Sequence, residues 1–240
     1  MSKIGYGYGS EWHLFRYLGY HREYLINKIT SEISVFQGYN MIVKDVNFSD
    51  SNLKFNLENE YKGIDIYSSK SLRDDWAKYW PQTGNIQNWD AIAEINGKDT
   101  DEYIFIEAKA HLGELQSSCG ASTTSKTQIE NAFEETIKYF GLKKAKATDW
   151  MSPYYQFSNR LAFLHFLLKN QIKAQLLFIY FYGEDPLNFN GNVICPQDKN
   201  GWETDLSNMY SHLGIDENKI EKIFFNRVHK VFLSTNPNVI

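Results

Sequence analysis

Residues Trp89–His111 read WDAIAEINGKDTDEYIFIEAKAH, and the fold turns on this stretch. Two apolar arms flank Gly97-Lys98-Asp99-Thr100-Asp101-Glu102, a composition suited to a turn. The pattern predicts a β-hairpin with Asp90 on its first strand and Glu107-Ala108-Lys109 ending its second. Side chains alternate faces along a strand, so Glu107 and Lys109 share one. A hairpin symmetric about the turn puts Asp90 opposite Lys109 and one diagonal step from Glu107. A slip of one residue would send Asp90 to the other face, so this geometry depends on register. Two carboxylates gathered at the end of an apolar strand repel, and a divalent cation is the usual remedy. The plain alternative is an edge strand with a Glu–Lys pair facing water. Glu-x-Lys also occurs at Glu60-Tyr61-Lys62 and Glu217-Asn218-Lys219. Only the triplet at 107–109 closes a strongly apolar strand, Tyr103-Ile104-Phe105-Ile106, with an acid-led strand at hairpin distance before it.

Upstream, Gly5, Gly7 and Gly9 form a flexible lead-in, and Ser10 stands where a helix N-cap belongs. A helix is expected from Glu11 to about Thr30, with Leu14, Tyr17, Leu18, Leu25 and Ile29 as its apolar stripe. Gly38 marks a break, Tyr39–Phe48 fits a strand, and Arg73–Trp80 reads as a short helix ended by Pro81. Downstream, Thr127–Phe140 reads as a helix closed by Gly141. Another helix is expected after Pro153, through Tyr155, Leu161, Leu164 and Leu168. Lys173–Tyr182 is an apolar strand, Pro186–Gly201 a loop and Trp202–Leu213 a helix. A last strand, or a helix and strand, covers Ile223–Leu233. No repeat or linker divides the chain, and residues 1–240 are read as one α/β domain.

The chain has 240 residues, 42% hydrophobic and 16% aromatic, which excludes a disordered protein and allows one sizeable core. Its formal net charge of -4 argues against an indiscriminate polyanion binder. Local basic groups remain at His21-Arg22, Lys143-Lys144-Ala145-Lys146, and Arg227 with Lys230. Cys119 and Cys195 supply neither a disulfide framework nor a cysteine-rich zinc site. No apolar run reaches the length of a signal peptide or a membrane span, so a soluble, cytoplasmic protein is expected. The spacing of Gly5, Gly7 and Gly9 is wrong for a dinucleotide fingerprint, and no strand precedes it. His13 and His21 lack partners at zinc spacing. His165 lies on an apolar helix, as a core histidine would. Trp76, Trp80 and Trp89 precede the acids and are expected to pack a wall.

Asp90, Glu107 and Lys109 resemble the Asp…Glu-x-Lys signature of the restriction-endonuclease-like, or PD-(D/E)XK, nuclease superfamily. Trp89 stands where the nominal motif has proline. The order of elements is similar too: a first helix, a meander of strands carrying the acids, a helix, then another strand. Gly9-Ser10-Glu11 resembles the acidic first helix of archaeal Holliday-junction resolvases. A closer resemblance is to uncharacterised bacterial proteins of the superfamily, over GYGSEWHLFRYLGYHR (7–22), TGNIQNWDAIAEI (83–95) and YYQFSNRLAFLHFL (154–167).

That resemblance implies a central mixed β-sheet flanked by helices and a metal-dependent nuclease, with DNA as the expected nucleic-acid partner. Asp90 and Glu107 would hold Mg²⁺ or Mn²⁺, with the carbonyl of Ala108 and an outer acid, Glu11, as further ligands. Lys109 would orient the attacking water or stabilise the oxyanion. Gln128, Gln156 and Arg160 fall on helices that often approach the scissile phosphate in such enzymes, Arg160 through its forked guanidinium. Helix capping and surface hydrogen bonding are the alternatives for these three. A nuclease-fold protein that binds nucleic acid or a protein partner without cleaving is a second reading. A glycosidase using two carboxylates is a third, and it would need neither Lys109 nor a metal. The oligomeric state is left open, a homodimer included.

Overall fold

The computed structural model of the chain describes residues 7–44, 61–83, 87–96 and 102–237. Its centre is a mixed five-stranded sheet, in the order β1 (Asn40–Val43), β4 (Ala91–Asn96), β5 (Glu102–Lys109), β6 (Ala174–Tyr182) and β7 (Val228–Ser234). β1, β4 and β5 are antiparallel, whereas β5, β6 and β7 are parallel. Two short strands, β2 (Tyr61–Lys62) and β3 (Asn88–Trp89), pair separately. β6, AQLLFIYFY, is apolar almost throughout because it is central and covered on both faces.

Strand alternation sorts the core into two layers. Ala91, Ala93, Ile104, Ile106, Leu177 and Ile179 face one side, where α1 (Ser10–Gly19) and α2 (Arg22–Glu32) bury Leu14, Tyr17, Leu18, Leu25 and Ile29. Ile92, Phe105, Leu176, Phe178 and Tyr180 face the other. That side is covered by α3 (Lys70–Tyr79), α4 (Thr123–Tyr139), α6 (Tyr155–Lys169) and α7 (Glu203–His212), with the single turns α5 (Ala147–Trp150) and α8 (Ile220–Ile223). Both parallel connections, β5 to β6 and β6 to β7, pass through helices of this second layer.

Several expectations need revision. The long first helix is two helices, broken at Tyr20-His21, and the expected apolar stripe is shared between them. Gly9, not Ser10, occupies the N-cap; the Ser10 hydroxyl instead donates to Glu114 at 2.9 Å. The helix placed at Arg73–Trp80 begins earlier, at Lys70, because the Ser69 hydroxyl accepts from the Leu72 N–H. α4 likewise starts one turn before the expected Thr127. The expected loop at Pro186–Gly201 carries short 3₁₀ turns at Pro186–Phe189 and Lys199–Trp202. The strand expected at Tyr39–Phe48 is described only as far as Lys44, and the hairpin turn at 97–101 and the glycine lead-in at Gly5 lie outside the described residues.

His165 is a buried histidine of α6, its Nδ1 2.9 Å from the Tyr79 hydroxyl and 3.2 Å from that of Thr136. Burial, with the nearby Lys169 charge, pushes its pKa down to about 4. Among the described residues no helix is long and apolar enough to cross a membrane.

Candidate active site

The hairpin register is displaced by two residues from the symmetric one. Pairs run from Ala91 with Ile106 to Ile95 with Glu102. A displacement of two preserves the faces. It brings Asp90 to the level of Glu107 rather than of Lys109. Asp90 sits at the bend just before β4, and its N–H donates to the Ile106 carbonyl at 3.1 Å. β4 starts there while β5 runs on to Lys109, so the Ala108 N–H has no β4 carbonyl to meet. The Asp90 carboxylate takes that place and accepts from it at 2.6 Å.

Glu107 is 2% exposed and has both oxygens engaged. Lys109 donates to Oε1 at 2.5 Å. Arg160 donates to Oε2 twice, from Nε at 2.9 Å and from Nη2 at 2.7 Å. α6 thus delivers Arg160 to the acid of β5, and one turn earlier it delivers Gln156, whose Oε1 accepts from Lys109 at 2.8 Å. Gln156 is held in turn by its backbone N–H, which donates to the Ser117 hydroxyl at 2.7 Å. The guanidinium of Arg160 also donates to Asn159 and to the Asn88 carbonyl, and stacks on the Trp89 ring, 4.6 Å from its centroid. Gly63 permits this wall: a Cβ there would fall on the Trp89 indole nitrogen and 2.8 Å from Phe163.

The electrostatics follow from this wiring. Burial raises the Asp90 pKa well above the usual carboxylate range, and the Glu107 charge adds to it, outweighing Lys109 and the Ala108 N–H. For Glu107 burial pushes upward too, but Arg160 and Lys109 together outweigh it and hold the carboxyl below its usual range. Lys109 is raised: burial disfavours its charge, and Glu107, Asp90 and Glu114 more than compensate. Two acids and two bases thus make a group with no net charge when all four are ionised.

Glu11 stands in the first turn of α1, whose apolar stripe packs on the opposite face of the sheet from Arg160 and Gln156. Gln128 is a tie between helices: its amide donates to the carbonyls of Ala77 and Lys78 at the end of α3. Arg160, expected to reach a phosphate, spends its donors on Glu107, Asn159 and Asn88. Among the described residues no three His, Cys, Asp or Glu side chains are grouped to hold a metal ion. Asn159, Asn88 and Trp89 escaped the sequence reading as partners of Arg160. The sequence signal for Asn159 was its place beside Arg160 on the helix; for Asn88 and Trp89 it was their place beside Asp90.

Asp90→Asn tests the electrostatics. It keeps an acceptor for the Ala108 N–H and removes the charge. Folded Asp90 holds its proton to higher pH than the unfolded chain does, so the wild type loses stability as pH climbs through that window. The metal-free variant should therefore be more stable than wild type at neutral pH, with a gap that opens above the ordinary aspartate pKa of about 3.9. Urea midpoints for both proteins across that range, in chelator, measure the gap. A pH-independent difference would mean that Asp90 carries no unfavourable buried charge.

Comparison of the chain with protein-family models, with curated proteins and with solved structures finds no match. The functional reading therefore rests on the residues and their geometry.

Proposed function

We propose that this chain is a metal-dependent phosphodiesterase of restriction-endonuclease-like fold, acting on nucleic acid, with DNA as the expected substrate. One observation carries the reading: Asp90 and Glu107 lie side by side at the end of β4 and β5, with Lys109 one step beyond on the face of Glu107. The element order supports it, since the strands bearing the acids precede a helical connection to a parallel strand. So does Gln156, which positions the Lys109 ammonium.

The donors suit a hard divalent cation in kind. Asp90 offers a carboxylate tied by one backbone N–H and crowded by a second acid, an arrangement that such a cation relieves. A strand residue points its N–H and C=O to the same side, so the Ala108 carbonyl faces the Asp90 edge as well. Asp90, Glu107 and that carbonyl would hold Mg²⁺ or Mn²⁺. When bound, the ion would supply a water of lowered pKa and neutralise charge on the phosphate. Glu107 would give up a cationic partner to reach it. Lys109, released in that exchange and steered by Gln156, would turn to the attacking water or the developing oxyanion.

The engagement of both Glu107 oxygens favours a second reading, a nuclease-fold protein that binds nucleic acid or a protein partner without cleaving it. The two are separated by assaying a panel of labelled DNA and RNA with Mg²⁺ and Mn²⁺. Wild-type cleavage that falls at least about a hundredfold in Lys109→Ala is expected. Absence of cleavage with either ion on every substrate moves the assignment to the second reading.

A further inference from the structure

Beside Glu107 and Lys109 lies a cleft of about 780 Å³, bounded by the start of α4, the start of α6 and the segment before β3. It shares Gln156 and Arg160 with the candidate site. Among the described residues its lining contains no Asp, Glu or Lys, and the one cation there, Arg160, is already paired with Glu107. The walls are amides, hydroxyls and the rings of Trp80 and Tyr155. The described lining offers a metal ion no carboxylate.

Two acceptors carried by lining residues have no donor among the described residues. Gln87 is 6% exposed, and its amide nitrogen donates to the Asn159 carbonyl, which fixes the orientation of the group. Its Oε1 is buried with no partner. The next residue, Asn88, likewise leaves Oδ1 buried and unpartnered, although its backbone carbonyl receives Arg160. Buried acceptors without donors cost free energy, and an occupant bearing N–H groups would recover it. A backbone phosphodiester has only acceptors at neutral pH and would be repelled by these oxygens.

We infer that this cleft is a nucleobase pocket that takes an unstacked base bearing an exocyclic amino group. The inference deepens the nucleic-acid reading above and rests on it. Cytosine presents an amino group on its pairing edge, whereas thymine has a carbonyl at the same position. Gln87 and Asn88 would accept the base N–H groups, and the half-buried Tyr155 ring would lie against its plane. A single-stranded or flipped nucleotide reaches such a pocket; a stacked one does not.

Fluorescence anisotropy tests it, using labelled oligo-dC and oligo-dT of equal length with the full chain in chelator, so that no cleavage intervenes. Oligo-dC should bind about tenfold tighter than oligo-dT, the ratio expected from a well-made hydrogen-bonded base contact. One abasic position in oligo-dC, scanned along its length, should lose a comparable factor at one register. Gln87→Met should bring the ratio close to unity, and Asn88→Ala provides the same readout if the first variant folds poorly. Equal affinity for the two oligomers, a flat abasic scan or no binding at all would overturn the pocket. Cleavage that depends on metal and on Lys109, without any base preference, would retire the pocket alone. Base preference without cleavage would keep it and retire the phosphodiesterase.

Discussion

Arg160→Ala should destabilise the protein by about 3–5 kcal/mol, the range found when one partner of a buried ion pair is removed. Arg160 is 4% exposed and Glu107 2%. Truncation strips two charge-assisted hydrogen bonds from a carboxylate that water reaches poorly, and it removes the cation stacked on Trp89. Lys109 still contacts the other oxygen, so the loss should fall short of a fully orphaned charge. Urea unfolding checks this through the midpoint, with the slope unchanged. The triple variant Glu107→Leu, Lys109→Met and Arg160→Met should regain much of the lost stability, since apolar groups of similar volume replace the buried charges at little cost. A loss below about 1 kcal/mol for Arg160→Ala would mean that the pair is effectively solvated. A surface phosphate contact, the role expected from sequence, predicts instead near-wild-type stability and a shallower salt dependence of nucleic-acid binding.

The second large effect comes from His165. Its pKa falls from 6.5 in the unfolded chain to about 4 in the folded protein. Between these values the unfolded chain binds more protons, so stability falls as pH drops from about 6.5 to about 4 and is lost no further below that. At about 1.4 kcal/mol per pH unit, discounted for partial solvation, the loss is on the order of 2–3 kcal/mol. Comparing wild type with His165→Gln over that range isolates the contribution from carboxylates titrating nearby. Parallel stability curves for the two proteins would show that His165 is protonated without penalty.

The hairpin was legible because it depends on local alternation, whereas the sheet flanked by helices was expected only from the family resemblance. Asp90, Glu107 and Lys109 came together on alternation alone. The exact register was not legible: a shift of two residues leaves every apolar side chain on its proper face, so hydrophobic patterning cannot detect it. The placement of Gln128 and Arg160 was beyond reach for another reason. A polar side chain on a helix serves whichever partner tertiary packing supplies, and those partners are 50 and 53 residues away in sequence. Gln156 shows the converse, since a helix residue opposite the sheet did meet Lys109. The break between α1 and α2 was masked because Leu14, Leu18, Leu25 and Ile29 keep a consistent stripe across it. Ser10 looked like a cap by type, and only the position of Glu114 reveals its other use.

The two arms of the hairpin differ in reach: one starts at Ala91, while the other continues past Ile106 to Lys109. The candidate acids sit at the open end of this mismatch, and the five ladder pairs separate them from the connection between Asn96 and Glu102 by roughly 17 Å. Evolution can therefore lengthen, shorten or decorate that connection without disturbing the acids. A protease cut or an inserted tag there would be mechanically insulated from the chemistry, whereas a single residue added between Trp89 and Ala91 would reach it at once.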